Sequence, residues 1–127
     1  APGDPADPRS VFEATVRGLV GFASARPELN RIMVHEGTHP SDRLTWLFER
    51  QIAPRQALLA ELWRELEAAG HDTPIEPDLV YHTLIGAASL LYANAPEARL
   101  MGIEPNDPDV AQRHAEGLIA MFLPPTP

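Results

Sequence analysis

The residues best suited to chemistry are His35-Glu36-Gly37-Thr38-His39. They match H-E-x-x-H, in which two imidazoles one helical turn apart hold zinc and the intervening carboxylate acts on a zinc-bound water. That chemistry needs an unbroken helix, so that both rings leave one face. Gly37 inside the motif and Pro40 just after it end a helix rather than continue one. No H-x-x-G-x-x-H extension follows, and no downstream stretch offers an obvious third ligand. The motif is therefore read as a helix end. A zinc hydrolase is the rival reading, and metal binding by His35 and His39 without catalysis is a lesser one. Elsewhere the chain has no Gly-rich phosphate loop, no nucleophile elbow and no paired carboxylates beyond ordinary helix-surface acids. The absence of cysteine excludes disulfides, Cys-ligated zinc, iron–sulfur clusters and thiol catalysis. No catalytic residue, metal or cofactor is expected.

Charge excludes a further class. The net charge is −8, and all ten basic residues are arginines scattered singly among acids. A nucleic-acid surface needs clustered cations, so this stretch is not expected to hold DNA itself. The length of 127 residues suits one domain with an ordinary core. The cysteine-free composition fits the cytoplasm at least as well as the exterior.

The element that organises the rest is Pro77 to Ala95, with no formally charged residue from Leu79 to Pro96. Its length fits a helix, and it is apolar or weakly polar on every face. Such a helix is buried nearly all round, and a short chain has difficulty covering one alone. A second copy could supply the cover. A membrane span is disfavoured, because His82, Thr83, Ser89 and Asn94 interrupt the run and no basic cluster flanks it.

Around it the sequence reads as all-α: five main helices and one short one, with no strand pattern. Residues 1–9, rich in Pro and Asp, read as a linker or frayed lead-in. Ser10 and Glu13 form a capping box for a first helix reaching about Ala25, with Phe12, Val16, Leu19, Val20 and Ala23 as its buried stripe. Pro27 opens a second helix, with Leu29, Ile32 and Met33 as its apolar face and Gly37 as its cap. A third runs from Ser41 or Asp42 to Ala69, with Gly70 as its stop. Its apolar stripe stays in phase across Pro54, so it is one kinked helix. After the central helix, Pro96 starts a short turn. Asp107-Pro108-Asp109 then opens the last helix, which ends near Leu123. Residues 124–127 are a tail. His82 and His114, on the two most apolar helices, read as hydrogen-bonded core or interface histidines.

Residues 31–54, RIMVHEGTHPSDRLTWLFERQIAP, resemble the C-terminal half of TetR/AcrR-type transcriptional regulators. There a short helix ends in Glu-Gly before a turn and a Trp-Leu-containing long helix. Residues 84–102, LIGAASLLYANAPEARLMG, are similar to the family's first dimer helix and its following turn, and residues 107–123, DPDVAQRHAEGLIAMFL, to its last. The family's N-terminal helix-turn-helix has no counterpart in this sequence. The resemblance implies an effector-binding and dimerisation domain spanning residues 10–123, in a protein that represses or otherwise regulates transcription. Residues 77–95 and 107–123 of two copies would form a four-helix-bundle interface, with Leu84, Ala87, Ala88, Leu91, Ala115, Leu118, Ile119 and Phe122 in it. A small, mostly apolar effector would enter among the first, third and central helices. Phe22, Met33, Trp46, Trp63, Tyr81 and Tyr92 are the aromatic and Met residues nominated for that pocket. DNA would be reached only through a helix-turn-helix outside this sequence. Beside the zinc hydrolase, a helical dimerisation scaffold without ligand is the second rival.

Overall fold

A computed structural model describes residues 7–124, and every regular element among them is helical. The elements are α1 (Pro8–Ala25), α2 (Pro27–Gly37), α3 (Asp42–Leu47), a π-helical turn (Phe48–Ile52), α4 (Ala53–Ala68), α5 (Pro77–Ala93), α6 (Ala95–Leu100) and α7 (Pro108–Phe122). Backbone torsions stay right-handed helical from α3 through the π turn into α4, so these three form one continuous run. The all-α expectation of five main helices and a short one holds among the described residues. Pro54 has no N–H to donate, and the helix answers by widening one turn, with the Ala53 N–H reaching the Phe48 carbonyl. Where a kink was expected, the run thus carries a π turn.

Two boundaries differ from expectation. α1 starts at Pro8, and its cap is Asp7, whose carboxylate accepts from the Ser10 N–H at 3.2 Å. The Ser10–Glu13 capping box does not form. Asp followed by Pro supplies both a side-chain acceptor and a pre-set first φ, and it outcompetes the serine three residues on. Glu13 instead pairs with Arg9 at 3.1 Å. Arg9 also donates to the Leu123 carbonyl at 2.9 Å, so Pro8 and Arg9 belong to the bundle and not to a lead-in. The rest of the proposed lead-in and tail, residues 1–6 and 125–127, lies outside the described residues. In α2, Gly37 is the last helical residue and Thr38 the cap, in right-handed conformation. Gly70 does stop α4 as expected. Its φ of 95° favours glycine, and the His71 N–H bonds back to the Leu66 carbonyl at 3.0 Å.

The core is shared by four helices. Phe12, Val16, Val20 and Ala23 of α1 meet Leu59, Leu62, Trp63 and Leu66 of α4. Val80, Leu84, Ala88 and Tyr92 of α5 join them, as do Ala115, Leu118 and Ile119 of α7. Phe12, Trp63 and Phe122 form an aromatic cluster with ring centroids 5.6 to 6.1 Å apart. The Trp63 indole N–H donates to the Ile75 carbonyl at 2.7 Å, fixing the loop between α4 and α5. In contrast, α2, α3 and the π turn contribute no buried residue. Of these, α2 packs against α1 and α5 and is tethered by Arg31, which donates to the Ala93 carbonyl at 2.8 Å, while α3 and the π turn continue outward from α4.

Candidate ligand-binding site

Along the flank of the core, α1, α4 and α5 leave a groove of about 500 Å³ with a mostly apolar wall. Helix α1 contributes Val11, Thr15 and Leu19, spaced one turn apart beside its buried stripe. The floor on α4 is Leu58, Leu59 and Leu62. Tyr81 and Ile85, again one turn apart, close the α5 side. Polar groups sit at the margins: Arg55, Glu61 and Glu65 from α4, with the Tyr81 phenol. The volume and apolar lining suit a small organic ligand.

The electrostatics at the mouth are asymmetric. Burial pushes the Tyr81 phenol above its ordinary pKa, while the Arg55 charge draws it down by less. The phenol therefore stays protonated at neutral pH and can donate a hydrogen bond. Its hydroxyl has no partner among the described residues.

Of the six residues nominated from the sequence for the pocket, Tyr81 lines this groove. Trp63 and Tyr92 lie in the core, each about 1% exposed. The Tyr92 hydroxyl lies 2.9 Å from Nδ1 of His114. Phe22 and Trp46 are exposed, with the Arg50 guanidinium stacked 5.5 Å over the Trp46 ring, and Met33 is half-buried on α2. These five are corrected out of the groove. An aromatic at helical spacing is core, surface or wall depending on the helix beside it, and spacing alone does not say which. The missed wall residues had a faint signal. Adjacent Leu58 and Leu59 begin two parallel apolar lines on α4, one more than a core stripe needs.

The nominated interface residues also turn inward. Leu84, Ala88, Ala115, Leu118 and Ile119 are buried within the single chain, and Ala87, Leu91 and Phe122 pack against that core. Because α5 is apolar on every side, periodicity could not say which side the chain itself covers. The side left open is a line of Leu79, Thr83, Gly86 and Leu90, beside His82. On α7 the outward residues include Gly117, Ala120 and Met121.

His114 is half-buried, and burial holds it below the ordinary histidine pKa while the Ala87 backbone pulls weakly the other way. His82 is exposed, so of the two apolar-helix histidines only His114 is partnered as expected.

The H-E-x-x-H motif straddles the end of α2. His35 is in the last turn, His39 is beyond it, and their ring centroids are 5.4 Å apart. Glu36 is engaged by Arg43 at 3.1 Å. No set of three or more metal-ligating side chains exists among the described residues. His35 and His39 are thus two imidazoles on a helix end, and no described residue joins them as the third ligand that a catalytic zinc needs. No described helix is long and apolar enough to cross a membrane.

Searches against models of protein families, curated proteins and solved structures found no match.

Proposed function

We propose that this chain is the ligand-sensing and homodimerising domain of a cytoplasmic TetR-like transcriptional regulator, and not an enzyme. The observation that carries the reading is the position of the groove. It lies among the first, third and central helices, where the sequence resemblance implied an effector site. A small, mostly apolar effector entering there would press on α1, α4 and α5 together. Differential affinity for two dimer geometries would then change DNA binding by a helix-turn-helix outside this sequence.

The dimer surface in this proposal is the outward line of α5 with the open side of α7. Leu79 and Leu90 are both more than half exposed there, and Met121 more so on α7. Two small residues, Gly86 and Gly117, let helices of two copies approach closely. A Cβ added at either glycine meets nothing within 4 Å in the single chain. Gly86→Arg is therefore expected to fold normally yet fail to dimerise, because the new charge would be buried unpaired at the interface. Sedimentation equilibrium over a wide concentration range tests this. A dimer for the parent chain and a monomer for Gly86→Arg is the expected result; a parent chain that stays monomeric would leave the scaffold and sensor readings without their dimer.

A further inference from the structure

We propose that the groove between α1, α4 and α5 takes a small amphiphile with an apolar body and a carboxylate head, the head bound by Arg55 and the Tyr81 hydroxyl. This rests on the ligand-sensing reading above and names the chemical class of its ligand.

Most of the arginines are already engaged. Seven of the ten pair with a carboxylate. Of the remaining three, Arg31 caps the end of α5 and Arg50 stacks on Trp46. Arg55 has only the neutral oxygens of Gln51, one turn back on its own helix, both met through Nη1. Its Nε and Nη2 hydrogens have no partner among the described residues. In a chain of net charge −8, a cation left without an acid beside an apolar groove is an anion site in waiting. A guanidinium and a protonated phenol are both donors, and a carboxylate is acceptor-only with room for both.

The acids of the groove set the ligand's direction. Glu61 and Glu65 stand six and ten residues beyond Arg55 on α4, roughly 9 and 15 Å along the helix axis. Leu58 and Leu59 of the leucine floor lie between the arginine and both acids, and Leu62 lies between the two acids. Glu61 is within 3.7 Å of Arg64, and its side chain is well hydrated, so it is a poor seat for an organic cation. A carboxylate is repelled from the Glu61 and Glu65 end and drawn to the Arg55 end, with its apolar body laid along the leucines.

Isothermal titration of the full chain with decanoate, decanol and decyltrimethylammonium, each below its micelle concentration, tests the proposal. Decanoate is expected to bind about tenfold tighter than decanol, the usual worth of a charge-assisted hydrogen bond. Arg55→Gln should lower decanoate to the affinity of decanol, and Tyr81→Phe should remove a smaller part of the difference. Decanol binding as tightly as decanoate, or decyltrimethylammonium binding tightest, overturns the carboxylate class and leaves a ligand-sensing groove standing. Binding that survives Leu58→Trp, which fills the groove, or no binding of any probe, overturns the site and the sensing reading together.

Discussion

The two tryptophans divide the molecule. Trp63, on α4, is about 1% exposed, touches two phenylalanines and holds the α4–α5 loop through its N–H. Trp46, on α3, is 52% exposed and has an arginine for cover. Around Trp63, helices α1, α4, α5 and α7 share one core. Around Trp46, the segment from Pro27 to Ile52 buries nothing completely and is joined to the bundle by the packing of α2, the Arg31 hydrogen bond and the continuous run into α4. The same residue type at similar helical spacing is a keystone in one region and an ornament in the other. Packing partners, and not composition, decide what a residue contributes.

Paired truncation of the two tryptophans should give the largest effect. Trp63→Ala is expected to cost about 3–5 kcal/mol of unfolding free energy, the usual range for a large buried aromatic. Trp46→Ala should cost about 0.5–1 kcal/mol, the worth of an exposed cation–π contact. Equal shifts in urea midpoint would mean that the outer segment is as integral as the bundle.

Next in size is the α4 stop. Gly70→Ala forces a side chain into φ 95° and should cost about 1–2 kcal/mol. Gly18→Ala, in the interior of α1 with open space for its Cβ, should instead gain about 0.5–1 kcal/mol. Thermal denaturation of the two variants sharpens the contrast between a glycine required by backbone geometry and one that is not.

How much of this was written in the sequence follows the same division. The stripe Phe12, Val16, Val20, Ala23 was legible because a 3.6-residue repeat on an otherwise polar helix admits one buried face. That one helical run passes through Pro54 was legible because the apolar phase survives it, whereas the π turn that accommodates the proline was not. Neither the interface nor the groove could be read that way. On α5 every side is apolar, so Leu84 and Leu90 look alike until α1, α4 and α7 are placed. The choice of Asp7 over Ser10 as cap was missed because two good caps stood three residues apart and only one could start the helix.

A subtler effect belongs to His114 in the bundle. The pKa of His114 in the folded chain is depressed by burial. A base depressed on folding contributes stability above its ordinary pKa, and that contribution is lost as pH falls through the folded value. Stability measured by urea titration should therefore fall as the pH drops below the ordinary histidine pKa of about 6.5. The drop should be smaller in His114→Gln, the difference between the two curves isolating this one histidine from the acids. Identical curves would place His114 in water.

The smallest effect concerns exchange rates. Amides of α2 and α3 are expected to exchange hydrogen by local opening, while those of α1, α4 and α5 wait for global unfolding. Protection that is uniform across both regions would erase the boundary at Pro27 and Ile52.

The bond from Arg9 to the Leu123 carbonyl makes the first turn of α1 and the end of α7 neighbours. The chain therefore enters α1 and leaves α7 at the same pole of the bundle. A short linker joining those ends would close the chain into a ring without moving a helix. The ring could then be cut at the exposed turn between Gly37 and Asp42, and the order of helices along the chain would change while their arrangement in space would not.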